Sequence, residues 1–282
     1  MTENELLVAP ESVTRSASLF YGQFFSDMKQ YSITGMITDH HEKMFAIPLS
    51  GIENASDDSK EALVRHFLKF QVLKEYVTET RQAAREAAIV RSVDNLLTYI
   101  SDILTEAIIA RPELLKSQEQ VAMEDVLGHG SIEDFIQWAA ERHVSQLSFK
   151  GLQAIADYIK KRLGMELYRS TSERDQLNLA VAVRNLITHR RGIIDERFIR
   201  VAKDPELSKG ARYNTPHFML HDVMISSKRL IESFDLRISE KFGIPRHSTA
   251  DQDWFTAPNG LSALLEKAAE ADNESQTDPE GP

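Results

Sequence analysis

The chain has 282 residues, 42% hydrophobic and 27% charged, with no Cys and a formal charge of −10 at pH 7. That length allows one large domain or two modest ones with a sizeable core. The lack of Cys excludes disulfide frameworks, thiolate nucleophiles and Cys-based zinc sites, and the net acidity disfavours a protein that coats nucleic acid through broad electrostatics.

No stretch approaches the ~18 consecutive apolar residues needed to cross a bilayer. The opening MTENELLVAPES lacks the basic and apolar regions of a secretory signal. The expectation is a cytoplasmic protein with no membrane partner. The charge is uneven, however. From Glu266 onward six acids stand against Lys267, a net of −5, so a local basic site on a mildly acidic body is allowed.

Residues 1–11 read as a loose start. Val13, Leu19, Phe20, Phe24 and Met28 recur at helical spacing, predicting a helix from Ser12 to about Tyr31. Residues 32–58 read as irregular, through Gly35, Pro48, Gly51 and Asn54, with a short strand over Met44–Leu49. Asp58 or Ser59 caps a helix through Leu63, Phe67, Phe70, Leu73 and Val77. Residues 78–110 hold no Gly or Pro, and Ser92 with Asn95 suggests a break or a fresh cap there. Arg111-Pro112 ends that element.

Shorter helices are predicted next. Ser117–Leu127 stops at Gly128-His129-Gly130. Ser131 caps Ile132–His143, and Ser148–Leu163 ends at Gly164. Ser172, with Asp175 at N3, caps a helix that runs to about Arg191 and closes at Gly192. Thr215-Pro216 starts a long helix that closes at Gly243. Residues 251–268 read as a weak amphipathic helix, and the acidic end as disordered. The class is all-α. The predicted organisation is an N-terminal helical region over 1–90, a helical bundle over 91–245, and a C-terminal helix with acidic tail over 246–282.

Several familiar sites are missing. There is no P-loop, no G-x-G-x-x-G and no G-x-S-x-G. The segment with chemical content is Val181-Ala-Val-Arg184-Asn185-Leu-Ile-Thr-His189-Arg190-Arg191-Gly192-Ile-Ile-Asp195. Asn185 and His189 are four apart and share a helix face. Arg184 lies about 140° around the axis from His189 and roughly 7.5 Å along it. A His in a last helical turn can act as general base or acid. A permanently charged Arg can stabilise a developing phosphorane. Together they can cleave RNA with the 2′-OH as nucleophile, without a metal or a bound cofactor. The plainer reading makes Arg184 an exposed helix residue and His189 a partner of the helix-end carbonyls.

The pattern Arg184-Asn185, three residues, His189, then Gly192 and Asp195 resembles the signature of the HEPN superfamily. The resemblance covers roughly residues 90–243, and only the motif segment is specific. It implies an all-α, HEPN-like bundle that dimerises and sets two Arg/His pairs facing one cleft. Active members are metal-independent endoribonucleases of phage-defence, abortive-infection, toxin–antitoxin and RNA-processing systems; others only bind. By this resemblance Arg184 and His189 are catalytic and Asn185 positions them. Some toxin members carry Tyr two positions after the His. Arg191 stands there in this chain, so that subgroup does not match. If the protein is toxic when active, an inhibitor or regulatory partner must accompany it.

Residues 184–200 carry a net charge of +3 without His189. Arg190 and Arg191 are therefore candidate RNA contacts; a solvated helix end accounts for them equally well. Arg212 and His217 repeat the Arg-x4-His spacing with Pro216 between them, and are set aside as coincidence. His217 and His221 stand at zinc spacing without a third evident ligand. His40-His41-Glu42 is a weaker metal candidate in a loop. Phe135 with Trp138 reads as helix packing, and Ser170-Thr171-Ser172 as a capping run.

Overall fold

In the computed structural model, residues 8–45, 57–115, 121–250 and 252 are described. The expected helix over 251–268 and the acidic tail lie outside them, Gln252 excepted. Residues 1–249 form one compact unit, and residues 250–282 a second.

Among its described residues the first unit is helical apart from one pair of two-residue strands and an isolated bridge between Ile193 and Arg212. Strand β1 (Ser12–Val13) leads into α1 (Arg15–Phe45) and α2 (Asp57–Ala110). A 3-10 turn, Pro112–Leu115, follows, then α3 (Met123–Leu127), α4 (Ile132–Phe149) and α5 (Leu152–Tyr158), which widens into a π turn over Ile159–Leu163. The chain continues as α6 (Thr171–Arg190), α7 (Glu196–Ala202), α8 (Met219–Phe242) and strand β2 (His247–Ser248).

Helix α2 is the axis of the fold, 54 residues or about 80 Å long. Its second half repeats apolar residues at steps of three and four: Ile89, Val93, Leu96, Ile100, Ile103 and Ala107, all buried. Helices α1, α4, α6 and α8 pack against it. From α1 come Phe20, Tyr21, Phe24 and Phe25, whose rings meet edge-on, tilted or, for Tyr21 and Phe25, stacked, at 5.3–6.1 Å between centroids. From α8 come Leu230, Ile231, Phe234 and Ile238. Each such side chain, fully buried, contributes about 1.5–3 kcal/mol.

Three expectations are corrected here. Residues 32–45 are helical, so Met44 and Phe45 are in α1 and not in a strand; the rest of Met44–Leu49 lies outside the described residues. Gly35 faces open space, where a helical Gly costs only about 1 kcal/mol, and α1 is held beyond it by Arg81 of α2 donating to Thr38 Oγ1 at 3.1 Å. Secondly, Ser92 and Asn95 do not break α2. The Asn95 side-chain amide donates to the Phe20 carbonyl of α1 at 3.0 Å, so its polarity joins two helices instead of capping one. Residue 90 therefore falls inside an unbroken helix. Thirdly, Thr215 does not cap α8. The helix begins four residues later, at Met219, and Thr215 is buried.

Smaller differences concern helix ends. Ser131 caps α4 as expected, accepting from Asp134 N at 3.1 Å, but the helix runs on to Phe149. Gly151, at φ +94°, separates it from α5. The two strands close the unit: Val13 pairs with His247 and Ser12 with Ser248. Beneath them the buried Asp235 carboxylate accepts from Thr14 N at 3.1 Å, Thr14 Oγ1 at 2.5 Å, Tyr99 Oη at 3.3 Å and an Arg246 Nη at 2.9 Å.

Candidate functional site

Helix α6 carries the candidate residues. It starts at Ser170, whose Oγ accepts from Glu173 N at 3.1 Å. The capping run is real, and the cap is Ser170 rather than Ser172. Glu173 returns the favour to the preceding turn, accepting from Arg169 N at 2.7 Å. Leu177, Ala180, Val183 and Leu186 form the buried face. The helix ends with Arg191 at φ 55° and Gly192 at φ 77°. Gly192 N donates back to the Leu186 carbonyl at 3.0 Å, the closure expected of two left-handed residues.

That end is fastened to the segment before α8. Ile194 N donates to Ala211 O at 2.9 Å and Tyr213 N to Gly192 O at 2.8 Å. Phe198 and Tyr213 stack edge-on at 4.9 Å, and burial pushes the Tyr213 hydroxyl above its usual range, with Asp204 adding to it. Asp195, part of the motif, caps α7 by accepting from Phe198 N at 2.8 Å.

Arg184 is half-buried. One Nη donates to Asn185 Oδ1 at 3.0 Å. Its Nε lies 2.7 Å from Asp94 Oδ1 of α2. The structure thus joins Arg184 and Asn185 as a pair and adds Asp94, which no spacing in the sequence pointed to. His189 is exposed and its ring makes no hydrogen bond or ion pair with a described residue. Within one chain no contact among the described residues links it to Arg184, because five helical steps set them about 140° apart around the axis. Arg190 reaches Asp195 at 3.5 Å. Arg191 is exposed, and its carbonyl accepts from Arg212 at 3.2 Å.

The pair Arg212 and His217 is engaged in tertiary contacts. Arg212 holds the Glu86 carboxylate of α2 at 3.2 and 3.3 Å. His217 Nδ1 meets an Arg85 Nη, also of α2. Only their chain partners across 126 and 132 residues reveal this, and no local pattern signals it.

The metal candidates fare differently. His217 precedes α8, so it does not share a helix face with His221, which lies 3.8 Å from its neighbour Asp222. His40-His41-Glu42 belongs to α1 and not to a loop. Among the described residues no three His, Asp or Glu side chains gather as metal ligands would. Phe135 and Trp138 pack together at 5.8 Å, with His129 against both and Arg142 over the indole at 5.1 Å. Among the described residues no helix is long and apolar enough to cross a membrane.

The chain matches no family model, no curated protein and no solved structure.

Proposed function

We propose that this chain is a metal-independent endoribonuclease of the HEPN type, acting as a homodimer on RNA. One observation carries the reading. His189 stands exposed at the C-terminal end of α6, unengaged by described residues, with Arg184 on the same helix and Arg190 and Arg191 beside it. A neutral imidazole there can take the proton of a ribose 2′-OH. The 2′ oxygen then bonds to the adjacent phosphorus, the bond to the 5′ oxygen breaks, and that oxygen takes up a proton. The products are a 2′,3′-cyclic phosphate and a free 5′-OH. Arg184 balances the charge that builds on the phosphoryl oxygens, and Asn185 holds its guanidinium. The angular separation of Arg184 and His189 calls for a second copy whose α6 end faces the first across a cleft.

A second reading is a non-catalytic HEPN-like dimer that binds RNA, a nucleotide or a protein. The Arg184–Asp94 ion pair favours it, because a neutralised Arg is a weaker electrophile. Under the first reading the setting is the cytoplasm, in phage defence or a stress response, with an inhibitor or regulatory partner.

The test is a gel assay of total RNA and tRNA with wild type and His189→Ala, both in excess EDTA. Cleavage by the wild type alone is the expected result. Binding without cleavage moves the assignment to the second reading. Equal cleavage by both proteins overturns the role of His189.

A further inference from the structure

Six charged residues among the described ones leave no more than 9% of their surface exposed: Asp27, Arg85, Glu86, Glu173, Lys228 and Asp235. Five face an opposite charge. Asp27 has Arg91 at 2.6 Å, Glu86 has Arg212 at 3.2 Å, Glu173 has Arg169 at 3.3 Å and Asp235 has Arg246 at 2.9 Å. Lys228 has Glu232. Arg85 has no such partner among the described residues. Its guanidinium is bonded to the His217 ring, and its Nε–H is buried without an acceptor.

The next residue does not supply the missing charge. Successive residues on a helix do not face one another, and the Glu86 carboxylate is taken up by Arg212 and by Gln82 at 2.9 Å. A guanidinium cannot shed its proton, and a buried charge without a counter-charge is strongly unfavourable. The His217 nitrogen that accepts from Arg85 is unprotonated, so the ring brings no negative charge. A second orphan lies close in the chain. Thr215 is 2% exposed and its Oγ1 has no partner among the described residues.

We propose that Arg85, Thr215 and His217 form a binding site for a phosphate group, with Arg212 at its rim. The guanidinium supplies a charged fork, the hydroxyl a donor, and the imidazole a further N–H, which are the groups that recognise phosphoryl oxygens. His217 is exposed while Arg85 lies beneath it, so the ring is what a ligand meets first. Turning the ring away from Arg85 opens the guanidinium to the anion. The site shares no residue with the Arg184–His189 pair and does not rest on the ribonuclease reading. Free phosphate and the phosphodiester of an RNA backbone share this chemistry.

The experiment is calorimetric titration of the full chain with two probes: inorganic phosphate, and a 2′-O-methyl oligoribonucleotide that cannot be cleaved. Saturable binding of at least one probe is expected. Arg85→Lys and Thr215→Val should each weaken it by about tenfold, the loss of one charge-assisted hydrogen bond, with helical circular dichroism unchanged. Binding of phosphate alone assigns a free anion, and binding of the oligonucleotide alone assigns the RNA backbone. The loss in Arg85→Lys and Thr215→Val separates this site from the proposed cleavage centre, with which it shares no residue. If Arg85→Lys does not fold, Thr215→Val and His217→Ala decide the matter, since one is nearly isosteric and the other exposed. No saturable binding of either probe, or wild-type affinity in these variants, overturns the proposal.

Discussion

Arg184 Nε lies 2.7 Å from Asp94 Oδ1, so the cation of the motif helix is held by a carboxylate on the central helix. The Asp94 side chain is 43% exposed and that of Arg184 23%. Such a partly exposed pair contributes little to stability, about 0–1 kcal/mol. Its effect on charge at the site is larger, because it occupies the guanidinium.

Asp94→Asn is therefore expected to leave urea unfolding within about 1 kcal/mol of wild type. It should tighten RNA binding and steepen the salt dependence by about 0.7 in log–log slope, one more phosphate contact on a single strand. Binding measured across a salt series checks this. An unchanged slope means that Arg184 does not meet the RNA backbone.

Asp235 gathers four donors, one of them the Arg246 guanidinium, at 3% side-chain exposure. Removing the carboxylate strands that cation and three hydrogen-bond donors. Asp235→Ala should lose about 3–5 kcal/mol in urea unfolding, and the double variant with Arg246→Met less than the sum of the two singles. Strict additivity would show that the two residues act independently.

Alkaline pH should unfold the chain. Burial holds the Tyr99 hydroxyl well above its ordinary range, and the Asp235 charge adds to this. Burial does the same for Tyr21, reinforced by Glu232 and Asp235 and opposed by Arg246. These groups stay protonated in the folded state where the unfolded chain ionises. Their contribution is complete below about pH 10 and falls away above it, by about 1.4 kcal/mol per pH unit for each tyrosine. Tyrosinate absorbance should rise together with loss of helix. If the absorbance of Tyr21 and Tyr99 titrates near pH 10 with the helices intact, the argument fails.

Much of the fold is legible in the residues. The end of α2 just before Arg111-Pro112, the Ser131 cap and the left-handed Gly243 each act within one helix, and each is where the pattern puts it. What stays hidden is settled between helices. Asn95 looks like a break until the Phe20 carbonyl is beside it. Gly35 looks like a loop until Arg81 holds the helix past it. Asp94 is absent from the motif because its partner lies 90 residues on in the chain. Pro216 keeps Arg212 and His217 off a common helix, but α2 supplies both with partners.

The pairing of Ser12 with Ser248 ties β1, near the start of the compact unit, to β2 near its end. During synthesis, α1 and the buried half of α2 leave the ribosome long before Asp235 and Arg246. Until those two residues emerge, Thr14 and Tyr99 have no carboxylate to donate to. The final tightening of the fold is thus postponed to the end of translation of this unit. A nascent chain stalled before Arg246 would keep its helices yet leave that end of the core open to proteases.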